Sequence, residues 1–487
     1  MAASFVPTGS ELFRVLPEVL LALTGTVLMV LEPLTAPADK RRLGTVGFVG
    51  LLAALWAAVV AFSDPGPAFS EMLMVDGFTT FFRVLVIIAG ILTFLASFSY
   101  LDRERAQGGE YYALILFSLA GQCLMAASRE LIMVFIGLEI SSIATYVLAG
   151  YLRDDRRANE SAIKYFLLGS FATAFFLYGV AWLYGLTGAT NLEDIKQVLA
   201  NPDLAPARGL AGAAAALIFA GLAFKVSAAP FQVWTPDVYQ GAPAPVAAFL
   251  SAGPKAAAFA VILRVFSTAF IPISARWEPL VWLVALATMV VGNFAALTQN
   301  NIKRLLAYSS IAHAGYVLVA LAAHSQIGVA AAMFYLLAYT FMNVGAFIVV
   351  SHLAGQKERW VEMEDLAGLG SRQPLTAALF ALFLLSLLGI PLTGGFFGKF
   401  YIFRAALESD LIWLAVLGLL NSAVAAYYYL RVLVVMYFHE PPPSCPEAPL
   451  TSGVRTALWI SAVATLLLGV YPGPVLDFAS ASAKLLK

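Results

Sequence analysis

The sequence predicts an all-α integral membrane fold of fourteen transmembrane helices, two of them discontinuous. Three observations predict it. Residues are 61% hydrophobic and only 12% charged, against about 25% charged in soluble chains. Apolar runs long enough to cross a ~30 Å bilayer core recur from one end of the chain to the other. Basic residues gather in alternate loops, the pattern that the positive-inside rule imposes on a multi-pass protein.

The first span, 12–34, has flanking charges of mixed sign and no small-residue cleavage site after it, so it reads as a helix and not as a signal peptide. Spans 2–6 follow at 43–63, 78–101, 111–127, 130–151 and 161–186. Span 7, 209–229, runs through Lys225 to the edge of Pro230, whose missing N–H breaks a helix. Spans 8–11 take 244–269, 277–298, 304–323 and 327–353. Span 12, 375–406, is cut by "GIPLTGG" just before Lys399, and spans 13 and 14 take 411–438 and 456–477. Loops after spans 1, 3 and 5 carry Lys40, Arg41 and Arg42, then Arg103 and Arg105, then Arg153, Arg156 and Arg157. Those before spans 10, 12 and 14 carry Lys303 and Arg304, then Lys357, Arg359 and Arg372, then Arg455. The rule places these loops in the cytoplasm and both termini outside.

Several functions are excluded by what the loops lack. The longest, near 188–208, 354–374 and 439–455, have no room for a nucleotide fold, and neither a GxGxxG nor a Walker motif is present. Formal net charge is zero, which gives no field for nucleic acid. Cys123 and Cys445 are far apart, so no zinc, haem or iron–sulfur site is expected. The energy source must be an ion gradient or a partner.

Ionisable residues inside spans carry the functional signal, because a lysine at a helix centre costs about 2.5–3.5 kcal/mol on insertion scales. Glu139 sits in the middle of "IMVFIGLEISSIATYVLAG". Lys225 stands where "LIFAGLAF" gives way to "KVSAAPF", Lys255 follows Gly253 and Pro254, and Lys399 follows the second interruption. Broken helices with an ion-handling residue at the break are a transporter device. The alternative is a lysine that snorkels to the interface, which suits Lys255 best. Lys164, early in span 6, and His313 are weaker members of the same set. His324, His352 and His439 read as solvent-facing, and the aromatic residues mostly as lipid-facing or interfacial.

Lys225 and Lys399 are 174 residues apart, and the same offset carries Glu139 to His313 and Lys255 to Tyr429. Spans 4–8 and 9–13 therefore read as two repeats, and an odd number of spans per repeat makes the second inverted. Burial disfavours the charged form of a lysine and a nearby carboxylate restores it. Glu139 beside Lys225 would toggle a proton. A sodium or calcium site needs clustered oxygens, and only one carboxylate is deep in a span.

The motifs "LEISSIATYVLAGY", "FKVSAAPFQVWTPDVYQGAPAPVAAFLSAGPKAA", "QNNIKRLLAYSSIAHAGY" and "GIPLTGGFFGKFYIF" together resemble the antiporter-like membrane subunits of respiratory complex I, the bacterial NADH–quinone oxidoreductase. The resemblance covers nearly the whole chain. It implies fourteen helices, inverted five-helix repeats at helices 4–8 and 9–13, and discontinuous helices 7 and 12. The chain then divides into a three-helix segment (1–110), two antiporter-like repeats (111–270 and 271–440) and a final loop and helix (441–487). It implies that Glu139 pairs with and tunes Lys225, that Lys255 connects, that Lys399 lies on the exit side, and that Lys164 matches a helix-6 lysine. NAD, FMN, iron–sulfur clusters and quinone would belong to partner subunits, with other membrane subunits as neighbours in the bacterial inner membrane. One departure is Gln232 in "PFQVW", where many relatives have a histidine; glutamine cannot carry a proton at neutral pH. The chain also lacks the long lateral helix of the largest relative. Two other classes stay open: a subunit of a multi-subunit cation/proton antiporter or a hydrogenase-linked pump, and a passive scaffold in which Glu139 and Lys225 can both be apolar.

Overall fold

The computed structural model describes residues 7–36, 39–441 and 449–486; Cys445 lies outside the described residues. Thirteen helices among them are long and apolar enough to cross a membrane, and Pro374–Leu388 is a shorter apolar helix. The long helices start and stop within a few residues of the expected spans. Five of them start on side-chain caps that satisfy otherwise unpaired N–H groups. Asp76 accepts from the Thr79 N–H at 2.7 Å, Glu130 from Met133 at 2.7 Å and Ser325 from Gly328 at 3.0 Å.

Loops meet at two opposite ends. At the basic end Arg41 pairs with Asp102 at 3.3 Å, Arg103 reaches the Ser351 carbonyl at 3.0 Å and Arg157 the Lys357 carbonyl at 3.1 Å. At the other end a two-stranded antiparallel hairpin, Gly66–Ala68 with Leu73–Val75, sets Gly66 opposite Val75. Its Leu73 bridges to Ser128, and Glu130 bridges to Asn191. The alternation of loops rich and poor in basic residues thus corresponds to a physical division of the molecule.

Helix Ala244–Phe266 is apolar all round and every residue in it is buried, as a bundle-centre helix requires. Helices Ile302–Ala322 and Gln326–Leu353 are nearly as enclosed. Outer helices present apolar faces instead: Ile163, Leu167 and Phe171 of Arg156–Thr187 are exposed. The first helix is tied inward by the buried Glu18–Arg83 pair at 2.7 Å.

Three elements depart from the expected spans. The seventh does not end at 229. Helix Arg208–Lys225 stops at the lysine, residues 226–234 form a break, and helix Thr235–Gly241 follows. That second half, "TPDVYQG", is too short and polar to register as apolar. The loop near 188–208 contains helix Leu192–Ala200. The last expected span, 456–477, ends instead at Val470; Pro472 starts a separate helix, Gly473–Ala483, packed on Gly77–Glu104 and Gln326–Leu353.

The other interruption lies between Pro374–Leu388 and Gly394–Glu408. Gly389 has φ +97°, a left-handed conformation that only glycine adopts without strain. At Gly395 a Cβ would stand 1.8 Å from the Ser386 carbonyl oxygen. Gly395→Ala must therefore push the half-helices apart, at a cost of about 1–3 kcal/mol. Gly185→Ala, where nothing lies within 4 Å, should be neutral or stabilising by up to ~1 kcal/mol. Thermal unfolding of the purified variants checks the contrast; equal midpoints would refute the tight packing at the break.

Candidate functional site

Three buried lysines define the site. Lys225, Lys255 and Lys399 are 7%, 2% and 6% exposed, so none snorkels to lipid. Each is held by a different local device.

Lys225 is the last residue of its half-helix, where the backbone turns away. The break behind it is internally satisfied: Ala228 N–H bonds the Ala223 carbonyl at 2.8 Å, Ala229 N–H the Thr288 hydroxyl at 2.9 Å, and the Trp234 indole the Phe224 carbonyl at 3.0 Å. That accounting is what allows irregular backbone at membrane depth. The ammonium donates to the Tyr146 hydroxyl at 3.1 Å and lies over the rings of Tyr146 and Tyr165. The Tyr165 ring itself stacks flat on Trp234, centroids 4.4 Å apart.

Glu139 lies two helical turns before Tyr146 on the same helix face. Its carboxylate accepts from the Thr173 hydroxyl at 2.9 Å. It makes no ion pair with Lys225 among the described residues. Glu139 is half-buried, beside the exposed Ile136, Ile140 and Ile143. Gln232 keeps a buried Oε1 with no partner.

Lys255 donates to the Ser310 carbonyl at 3.0 Å and to the Ser310 hydroxyl. From there hydroxyl groups continue along one face of Ile302–Ala322. The Ser309 and Tyr429 hydroxyls are 2.5 Å apart; His313 Nε2 is 3.1 Å from Tyr429, and its Nδ1 is 2.5 Å from Tyr335. Tyr316, one turn further, hydrogen-bonds Asn293 at 3.3 Å and lies under the Lys399 ammonium, 4.8 Å from ring to nitrogen. Two residues picked out by the 174-residue offset, His313 and Tyr429, are thus in direct contact.

Lys399 sits six residues into Gly394–Glu408, yet its ammonium reaches back across the break. It bonds the carbonyls of Leu387 and Leu388 at 3.0 and 2.9 Å, and the Ser422 hydroxyl at 2.9 Å. Those carbonyls end the preceding half-helix, the negative pole of its dipole. The counterpart relation is therefore not positional: Lys225 precedes its break and Lys399 follows its own.

Lys164 is 39% exposed on its side chain and bridges Glu160 and Asp237 at 2.6 Å each. Arg304 takes the other Asp237 oxygen at 2.6 Å. This is a surface-linked cluster at the basic end, apart from the three lysines. Among the described residues no group of three or more His, Cys, Asp or Glu is placed to hold a metal ion.

A membrane-domain model described as NADH:quinone oxidoreductase/Mrp antiporter matches residues 128–425, which contain all of these groups except Tyr429. The chain belongs to this family. NADH-quinone oxidoreductase subunit N 1 of Solibacter usitatus is 64% identical over 98% of both chains. Subunit N 2 of Koribacter versatilis is 50% identical over 98% of both. A chain of respiratory complex I from Thermus thermophilus superimposes with a TM-score of 0.81 at 37% identity, covering 95% of this chain and 99% of that one.

This antiporter-family chain also holds groups that sequence reading missed. Lys303, read as a cytoplasmic loop charge, is fully buried. It bonds Glu358 at 2.5 Å and the Ala242 carbonyl at 2.6 Å. The other Glu358 oxygen takes the Tyr100 hydroxyl at 2.6 Å and the Ala244 N–H at 2.7 Å. His352 is buried too, not solvent-facing. Nothing in the local sequence "NNIKRLLAY" separates Lys303 from an interface charge, since Arg304 follows it directly. Removing one partner of a buried ion pair costs about 3–5 kcal/mol, whereas replacing both with apolar groups is often near neutral. Glu358→Leu should thus lower the unfolding midpoint strongly, and Glu358→Leu with Lys303→Met should recover most of it. A double variant as unstable as the single one would show that the pair is not coupled in this way.

Proposed function

We propose that this chain carries protons across the bacterial inner membrane as an antiporter-like subunit of an NADH–quinone oxidoreductase. The names of its relatives support the assembly, and nicotinamide, flavin, iron–sulfur and quinone chemistry falls to partner subunits. One observation carries the proton assignment. Three lysines, each less than a tenth exposed, are hydrogen-bonded to groups inside the protein.

Counted as single passes, the two interrupted pairs bring the helices to fourteen, with inverted repeats over helices 4–8 and 9–13 and the divisions 1–110, 111–270, 271–440 and 441–487. The basic end faces the cytoplasm and both termini lie on the far side. A proton enters from the basic end, where Lys164 and Asp237 gather, and reaches Lys225. It passes through Lys255 and the Ser310–His313 face to Lys399, then leaves. Glu139 is the control. Held on Thr173, it leaves Lys225 to the Tyr146 hydroxyl; brought to the amine, it would favour the protonated form, as any close carboxylate does. Redox events in the partners drive that alternation. With hydroxyl, imidazole and amine groups between the three lysines and no carboxylate cluster among them, the site suits protons better than a metal cation that wants clustered oxygens.

In the assembled complex, Lys225→Ala should leave NADH oxidation measurable and cut the protons moved per NADH by this subunit's share. Proteoliposomes with a pH-sensitive dye report that ratio. A Lys225→Ala complex of normal composition that pumps at full stoichiometry would refute the assignment.

A further inference from the structure

An apolar trough of about 660 Å³ opens into the bundle near the end that carries the hairpin. One wall is Phe81, Val84 and Ile88, the other includes Leu467, and the floor is Leu337 and Phe341. The floor is informative. From Gly328 to His352 every residue is buried except Leu337. Between its two ends, the helix that supplies Tyr335 to His313 therefore meets the surroundings at one window, and the trough is that window.

Its dimensions favour one occupant. From Thr80 to Ile88 the trough runs about 12 Å along the helix axis. A single acyl chain fits. At the mouth the trough shares Phe62 with a second cavity of about 480 Å³ that contains Arg129, Arg264, Asp76 and Glu193. Arg264 is committed to Asp76 through two bonds of 3.1 Å, and Glu193 pairs with Lys196 at 3.4 Å. The Arg129 side chain has no hydrogen bond or ion pair among the described residues, so it is the uncompensated cation there. An apolar slot that shares a wall residue with a cavity holding an uncompensated guanidinium matches a chain joined to a phosphate.

We propose that this is a built site for a bilayer glycerophospholipid, with its phosphate on Arg129 and one acyl chain sealing Leu337 against the surrounding membrane. The proposal needs the chain to lie in a bilayer; it does not depend on proton transport. The test uses the intact complex in vesicles of phosphatidylethanolamine and phosphatidylglycerol, doped with phosphatidylethanolamine bearing a diazirine on one acyl chain. After irradiation, peptides are mapped by mass spectrometry. Adducts are expected on the peptides with Val84, Phe341 and Leu467. Ala464→Phe, which fills the trough, should abolish them. Arg129→Gln, which removes a charge-assisted bond, should reduce them about tenfold. NADH oxidation by each variant complex verifies assembly. Adducts undiminished in both variants, or no adducts at all, would overturn the site. Adducts on a neighbouring subunit's peptides with none on these would show a protein occupant and overturn it as well. Loss in Ala464→Phe alone would overturn the headgroup assignment to Arg129.

Discussion

Every polar atom at membrane depth has to find its partner inside the protein, because hydrocarbon offers none. The architecture around the lysines follows from that constraint. A helix can present an amine to the interior only if something nearby has spare acceptor capacity, and a regular helix has none along its length. Spare carbonyls exist at helix C-termini. Interrupting a helix in mid-membrane creates such a terminus where it is otherwise unavailable. Lys399 uses it directly, through Leu387 and Leu388. The glycines around it are the steric condition for that arrangement: one to turn the chain, another to let the second half-helix close on the carbonyl of Ser386.

Lys225 meets the same constraint differently. Its break turns its own unpaired groups inward, onto Thr288, Phe224 and Ala223. The ammonium is left to one hydroxyl and two aromatic faces. Cation–π contacts and a single hydrogen bond to a hydroxyl are weaker holds than two carbonyls and a serine. Of the three amines, Lys225 is the one with the fewest fixed acceptors, and it is the one with a carboxylate two turns away along a neighbouring helix. An amine firmly bonded on every side has nothing to gain from an approaching acid; a loosely held one has.

Much of this was legible in the sequence, for a physical reason. Span length and hydropathy are local properties fixed by bilayer thickness, so helix positions came through within a few residues. The buried lysines were legible because their expense in hydrocarbon makes any other explanation strained. What was not legible depends on distant partners. Lys303 looks like an interface charge until Glu358, 55 residues later, closes on it. The half-helix Thr235–Gly241 contains Asp237 and Gln240, and its polarity hid it. The tyrosines were misjudged as lipid-facing in bulk: Tyr165, Tyr316, Tyr335, Tyr428 and Tyr429 are fully buried, and they supply the hydroxyls between the amines. Composition cannot distinguish a tyrosine at the interface from one in the centre; only the partner of its hydroxyl can.

The two breaks also separate sequence symmetry from functional symmetry. The 174-residue offset aligns Lys225 with Lys399, yet one ends a half-helix and the other lies inside the half-helix after its break. An inverted repeat reproduces backbone scaffolds, and a scaffold fixes where carbonyls are free, not which residue reaches them. The long, flexible lysine stem lets the amine return to the break from a turn away, so the break is occupied by an ammonium in both halves while the surroundings differ. One half has an acid and aromatic rings, the other two carbonyls and a serine.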